Sequence, residues 1–314
     1  MMDQPHLLLA CNNGPYVWDR SQHLEGMGST FQWRKPSLIA AHIIQGKWIG
    51  NLTNRHHKDE GDQSEYFGLS YSHCDAKSLQ VYKKVNPNNF VYTTEQNMFN
   101  YIPAIPVVNT TVVVFEWEHL DQSNNFAVFD KTFRKRFHHQ RLLRQTPKRT
   151  ANEYWVSVHF RWGDVKTKDP NKPDGRNGLS FADYCLCINA MVLINPHIEL
   201  FLFAEGLAKP ESCWDLKLKN IHFFNDSISW KRDIDIMSQS QLLIGGRSSF
   251  FVLGSHLCEN CTVIHNSPIK FKTSDYEKKL PIHLVEINCN MGLSCYLENI
   301  RKYKWHNIGG VNVK

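Results

Sequence analysis

The spacing of apolar and polar positions divides the chain into a regular second half and a less regular first half. In the second half, short apolar, β-branched runs at Tyr154–His159, 199–203, Ile221–Phe224, 241–244 and Thr262–His265 read as strands. Near-continuous hydrophobicity of this kind is what a strand buried on both faces of a parallel sheet requires. Segments with helical spacing lie between them, at 181–193, 211–218, 232–239 and 250–258. Strands alternating with helices predict a doubly wound parallel sheet over residues 152–289. The first half opens with an apolar run at 6–11, then a loop with Gly and Asn, then a helix predicted at 37–45, after Pro36. A His- and Asp-rich stretch at 51–65 reads as a surface loop, and 110–117 (TTVVVFEW) as a strong strand. Residues 131–149 read as a basic helix ended by Pro147, with Phe133, Phe137 and Leu142 on its apolar side. The economical picture is α/β throughout: two Rossmann-like domains, 1–150 and 151–314, facing a cleft.

Composition narrows the partners. At 314 residues and 42% hydrophobic, the chain can build two sizeable cores. A net charge of +6 fits phosphorylated ligands but falls short of a dedicated nucleic-acid binder, so no nucleic-acid partner is expected. No apolar run approaches the roughly twenty residues of a membrane span. The opening MMDQPHLLLACNNGPY lacks the basic segment and apolar length of a signal peptide. The default expectation is therefore a cytoplasmic address, with the ER or Golgi lumen the alternative if an anchor is absent from this sequence. Nine cysteines leave at least one thiol unpaired, and sequons at Asn51, Asn109, Asn225 and Asn260 are too easily met by chance to decide the compartment.

Three segments carry candidate chemistry. The strand at Tyr154–His159 runs into His159-Phe160-Arg161-Trp162-Gly163-Asp164. Ligands of open α/β sheets bind beyond the carboxyl ends of strands, so this cluster delivers an imidazole, a guanidinium and a carboxylate to the expected place. An arginine there suits a diphosphate, which it can grip through paired N–H donors. The second segment runs from Asp233 through Asp235, Met237 and Ser238 to Ser248-Ser249-Phe250. It reads as helix, strand, Gly-rich turn and a helix opened by two serines, whose N-terminal N–H groups would hold an anion. The third is Gly26-Met27-Gly28, read as a tight loop between the first strand and the first helix.

In this order the three segments resemble the superfamily of fucosyltransferases that use GDP-fucose, which includes α-1,2-, α-1,6- and protein O-fucosyltransferases. Those enzymes carry a Gly-x-Gly-Asn loop, a His-x-Arg-x-Gly-Asp-like motif and an Asp…Met-Ser…Ser-Ser-Phe segment. The α-1,2 type is most similar, because its central motif also ends in Gly-Asp. The resemblance implies a GT-B-like fold and an inverting, metal-independent transfer of fucose from GDP-fucose to a glycan or glycoprotein hydroxyl, with no cofactor. By motif position, Gly26 and Gly28 line the donor site and His159 sits beside the donor. Arg161 grips the diphosphate, Asp233 lies near the guanine, and Ser248, Ser249 and Phe250 surround phosphates and base. Asp164 either takes the acceptor's proton or orients Arg161. The sequence departs from the family pattern at Ser29, where the family has asparagine, and at Phe251-Val252-Leu253, where the α-1,2 type has serine and two tryptophans. Those departures leave two alternatives: a nucleotide-sugar or glycan binder without turnover, and a transferase for a different GDP-sugar.

Other patterns carry less. Asp233-Ile234-Asp235 spells the Asp-x-Asp of metal-dependent transferases, but a three-letter pattern at the start of a helix is common. Cys258 and Cys261, with His256, His265, Cys289 and Cys295 nearby, are a poor zinc pattern, since the second cysteine pair has the wrong spacing; a disulfide would suit a lumenal protein better. The basic helix reads as a solvated face, and Trp162 as packing on the sheet edge.

Overall fold

The computed structural model describes residues 15–20, 27–50, 52, 63–69, 76–93, 111–115, 131–161, 185, 198–205, 220–225, 230–246, 248–258, 261–265 and 283–286, and structural statements refer to these. The chain forms two compact units, Met1–Arg144 and Gln145–Lys314. The architecture is α/β, with an all-parallel sheet in each unit.

In the first unit, β1 (Tyr16–Asp19), β2 (Lys47–Ile49), β3 (Phe90–Thr93) and β4 (Val112–Phe115) stand in the order β2-β1-β4-β3. Helices α1 (Met27–Ile43), α2 (Ala76–Val85) and α3 (Lys131–Leu143) complete it. Tyr16, Trp18, Val112 and Val114 form one core with Leu79 and Tyr82 of α2. A second cluster is aromatic: Phe31 of α1 meets Phe67 and Phe133, each at 5.3 Å between ring centroids.

Several expectations need correction in this unit. Strand β1 was not anticipated; four residues are too short for a periodic signal. The helix expected at 37–45 begins ten residues earlier, at Met27, and runs through Pro36. Proline removes one helical hydrogen bond and normally marks a boundary. Here the residues flanking it are tied to the sheet: Arg34 Nη1 and Ser37 Oγ both donate to the carboxylate of buried Asp19, at the end of β1. Trp48 Nε1 in turn donates to Ser37 Oγ at 2.8 Å. Of the stretch expected to be a surface loop, Leu52, Gln63 and Ser64 are buried. Helix α3 stops at Leu143 rather than near Pro147, and Leu142 is exposed while Phe133 and Phe137 are buried. The chain beyond it is claimed by the second unit, where Gln239 donates to Pro147 O and accepts from Arg149 N. The run at 6–11 lies outside the described residues.

The second unit carries β5 (Tyr154–His159), β6 (Ile198–Phe203), β7 (Ile221–Phe224), α4 (Trp230–Met237), β8 (Leu242–Gly245), α5 (Ser249–Leu257), β9 (Thr262–His265) and β10 (His283–Glu286). Three strands match the sequence reading residue for residue, β5, β7 and β9. The order is β10-β9-β8-β5-β6-β7. From β5 the chain winds outward through β6 to β7, returns across the sheet by α4, and winds the other way through β8, β9 and β10. This is a doubly wound, Rossmann-like order, and its direction reverses between β5 and β8. Val156, Val158, Leu200, Leu202, Leu243 and Ile244 fill the sheet's interior. Helix α4 buries Ile234, Ile236 and Met237, and α5 is buried nearly all round, which explains its apolar sequence. The two helices meet at Gly254, where a Cβ would stand 2.9 Å from Met237 Sδ. Among the described residues, no helix is long and apolar enough to cross a membrane.

Candidate nucleotide site

The winding of the sheet reverses between β5 and β8, and open α/β sheets bind their ligands at the carboxyl edge of such a switch point. Parallel pairing puts His159, the last residue of β5, level with Gly245 on β8 and with Phe203 on β6. Phe160 N–H still bonds Phe203 O at 2.8 Å, so the sheet holds the chain one residue further before Arg161, which is half-buried. On the other side, β8 ends at Gly245 and α5 begins four residues later. Strands lie about 4.8 Å apart, so the segments bearing Arg161 and Ser248 leave the sheet side by side.

Ser248 is the N-cap of α5: its backbone is extended, and its Oγ accepts from Phe251 N at 3.5 Å. That bond serves one of the amides that a helix start leaves without an intrahelical acceptor. Ser249 and Phe250 occupy the first turn, half-buried. The His159 ring faces Phe250 and Phe251, with centroids 5.8 and 6.2 Å away. This close approach depends on Gly245, where a Cβ would fall 2.6 Å from the Phe251 ring.

Helix α4 follows β7, so its first turn opens at the same edge of the sheet. Asp233 lies in that turn, buried, with its Oδ1 2.9 Å from Arg232 Nε and 2.8 Å from Nη2. Asp235 is fully buried two residues on. Helical residues two apart do not face each other, so Asp233 and Asp235 do not present the paired carboxylates that an Asp-x-Asp metal site needs. Among the described residues, no group of three or more His, Cys, Asp or Glu side chains could hold a metal ion.

The second unit thus brings His159, Arg161, Ser248, Ser249 and Phe250 to the ends of two adjacent strands, and puts Asp233 on a helix that starts at the same edge. Gly28 lies in the first unit and is buried in the first turn of α1, not in a loop ahead of the helix. Gly26, Trp162, Gly163 and Asp164 lie outside the described residues. Arg232 went unremarked in the sequence, and only its tertiary partners single it out.

The cysteines divide by environment. Cys258 and Cys261 are buried free thiols rather than a disulfide, and Cys258 Sγ donates to Ser240 O at 3.0 Å. Cys185 is disulfide-bonded. The phenol of Tyr154 is pushed above the usual tyrosine range, first by burial and then by Cys261 and Cys258, while Arg149 acts the other way.

No family model matches the chain, and no curated protein does. Solved structures similar to it include the E. coli heptosyltransferase WaaC with ADP, at 9% identity and TM-score 0.46, covering 91% of this chain and 99% of that one. POFUT1 in complex with GDP is similar at 10% identity and TM-score 0.43, covering 88% and 99%. The NodZ α-1,6-fucosyltransferase soaked with GDP-fucose is similar at 10% identity and TM-score 0.40, covering 77% and 92%.

Proposed function

We propose that the chain is a glycosyltransferase acting on a nucleotide-linked sugar, and that it moves fucose from GDP-fucose to a glycan or glycoprotein hydroxyl with inversion. One observation carries this reading: the Arg161 segment and the Ser248-Ser249-Phe250 segment, far apart in sequence, end on adjacent strands where the winding of the sheet reverses.

In fucosyl transfer, the bond from the sugar's anomeric carbon to the diphosphate breaks as the acceptor oxygen bonds to the opposite face. The sugar passes through an oxocarbenium-like state while negative charge grows on the departing GDP. A fixed guanidinium at Arg161, with the N-terminal amides of α5 and the hydroxyls of Ser248 and Ser249, stabilises that charge more as it develops. Such differential stabilisation lowers a barrier; equal binding of substrate and transition state does not. His159, packed on Phe250 and Phe251, flanks the donor, and Asp233 recognises the base. Asp164 follows Arg161 by three residues and is the candidate to receive the acceptor's proton. Gly26 and Gly28, donor-site residues by motif position, belong to the first unit.

The test is a donor screen of the purified protein against a glycan array, with EDTA present. Fucose transfer from GDP-fucose under EDTA is the expected result. Transfer from another GDP-sugar alone would reassign the donor. Tight GDP binding with no transfer to any acceptor would replace the enzyme by a binding protein.

A further inference from the structure

Helix α3 (Lys131–Leu143) stands apart from the rest of the chain in charge. Residues 131–144 hold six of the 36 Lys and Arg and none of the 30 Asp and Glu. They therefore carry the whole net charge of +6, and the remaining residues balance at 30 against 30. The turn packed against the helix, Glu65–Phe67, brings one carboxylate, that of Glu65.

The helix also hides and shows the opposite of what hydrophobicity alone would choose. Phe133 and Phe137 are buried, and Phe137 meets Tyr66 and Phe67 at 5.7 and 6.1 Å between ring centroids. Arg134 is buried beside them, only 3% exposed. Arg144, just past the last turn, lies with its Cζ 4.1 Å from the Tyr66 centroid and donates from Nη1 to Tyr66 O at 2.7 Å. Leu142 and Leu143 are nevertheless 56% and 70% exposed. Burial of apolar area would by itself turn the leucines in and the arginines out. Because Arg144 ties down the end of the helix, the two leucines are held outward on an anchored turn. Lys135, Arg136 and His139 are exposed as well. Helical spacing sets Lys135, His139, Leu142 and Leu143 on one stripe, at i, i+4, i+7 and i+8, with Arg136 next to it.

We propose that this stripe docks the protein on a bilayer whose surface carries anionic phospholipid headgroups. Lys135 and Arg136 lie among the headgroup phosphates, and Leu142 and Leu143 enter the acyl boundary beneath them. A soluble polyanion would use the cations and leave the leucines in water. An apolar groove on another protein would use the leucines and gain nothing from an acid-free helix. An anionic membrane surface uses both. The docking needs no spanning segment and does not depend on the identity of the sugar donor.

The test is sedimentation of the full chain with vesicles of phosphatidylcholine, alone or with about a third phosphatidylserine. The wild type is expected to bind the anionic vesicles about tenfold or more tighter than the neutral ones. Most of that preference should vanish at about 1 M salt, where the Debye length is about 3 Å. Lys135→Gln/Arg136→Gln should weaken binding to anionic vesicles by about 25-fold, about fivefold for each surface cation. Leu142→Gln/Leu143→Gln should weaken it by about tenfold or more while keeping the preference for anionic lipid. Glutamine retains helix propensity and all four side chains are exposed, so both pairs should melt with the wild type. If a pair melts lower, the single variants Lys135→Gln and Leu143→Gln carry the same comparison. A wild type that stays in solution with anionic vesicles overturns the proposal, and so does a leucine variant that binds them as the wild type does. Polyuridylate stands for the soluble polyanions: if it binds the wild type and the leucine variant as tightly as anionic vesicles bind the wild type, the partner is a nucleic acid and the membrane proposal falls.

Discussion

Gly245→Ala is the most direct probe of how the candidate site is built. The added Cβ would lie 2.6, 2.8 and 2.8 Å from Cδ2, Cε2 and Cγ of Phe251, closer than real Cβ atoms come to such atoms. The clash is with the body of a fully buried ring, not with the far end of a flexible side chain. Either β8 or the first turn of α5 must give way. Overpacking of this kind costs about 1–3 kcal/mol. For a domain of 150–250 residues each kcal/mol moves the melting temperature by about 2–4 °C, so a mid-range cost of about 2 kcal/mol predicts a fall of about 4–8 °C. Because Phe251 lies 6.2 Å from His159, the shift should also disturb the wall of the site and weaken GDP binding. Melting followed by circular dichroism or calorimetry reads the first effect, and titration with GDP the second. The control is the double variant Gly245→Ala/Phe251→Leu. Removing the ring removes the clash, so the two substitutions should be less destabilising together than their sum by about 0.5–3 kcal/mol. A Gly245→Ala protein that melts with the wild type, or a strictly additive pair, would refute the packing account.

Arg161→Ala should lower transfer from GDP-fucose by about 10²–10³-fold, the loss typical of one transition-state donor, without shifting the melting temperature, since the side chain is half-exposed at a strand end. Ser37→Ala deprives Asp19 of one donor and Trp48 Nε1 of its acceptor, all buried, so urea unfolding should show a loss of about 1–3 kcal/mol with an unchanged slope. Tyr154 predicts an alkaline limb. With its folded pKa raised above the ordinary value of about 10, the unfolded chain gives up the phenolic proton first. Stability present below pH 10 should fall above it by about 1.4 kcal/mol per pH unit relative to Tyr154→Phe, and parallel curves for the two proteins from pH 9 to 11 would exclude the effect.

The residues of the candidate site were legible because local chemistry marks them. A buried parallel strand must be apolar along its length, so β5 stood out to the residue, and the polar residues after it could only belong to its end. The serine N-cap at Ser248 was legible for a similar reason, since a helix start needs an acceptor for its first amides. Elements whose stability comes from elsewhere in the fold were not legible. Strands β1 and β2 are four and three residues long, and pairing with their neighbours secures them rather than any pattern of their own. Helix α1 runs through Pro36 because Asp19 anchors it on both sides.

By itself, then, the sequence determined that the chain alternates strands and helices, where the best-buried strands lie, and which residues are the candidates proposed for a diphosphate. Strand order belonged to the tertiary structure alone. Nothing in the composition of β8 says that it pairs with β5, yet that pairing sets His159 level with Gly245, at the two strand ends that lead to Arg161 and Ser248. Nor does anything in Lys231-Arg232-Asp233 say that the arginine will rest on a phenylalanine of another strand. Local pattern reports how much of a segment must be hidden from water. Which surface hides it is settled by long-range packing, and the geometry of the site is a consequence of that choice.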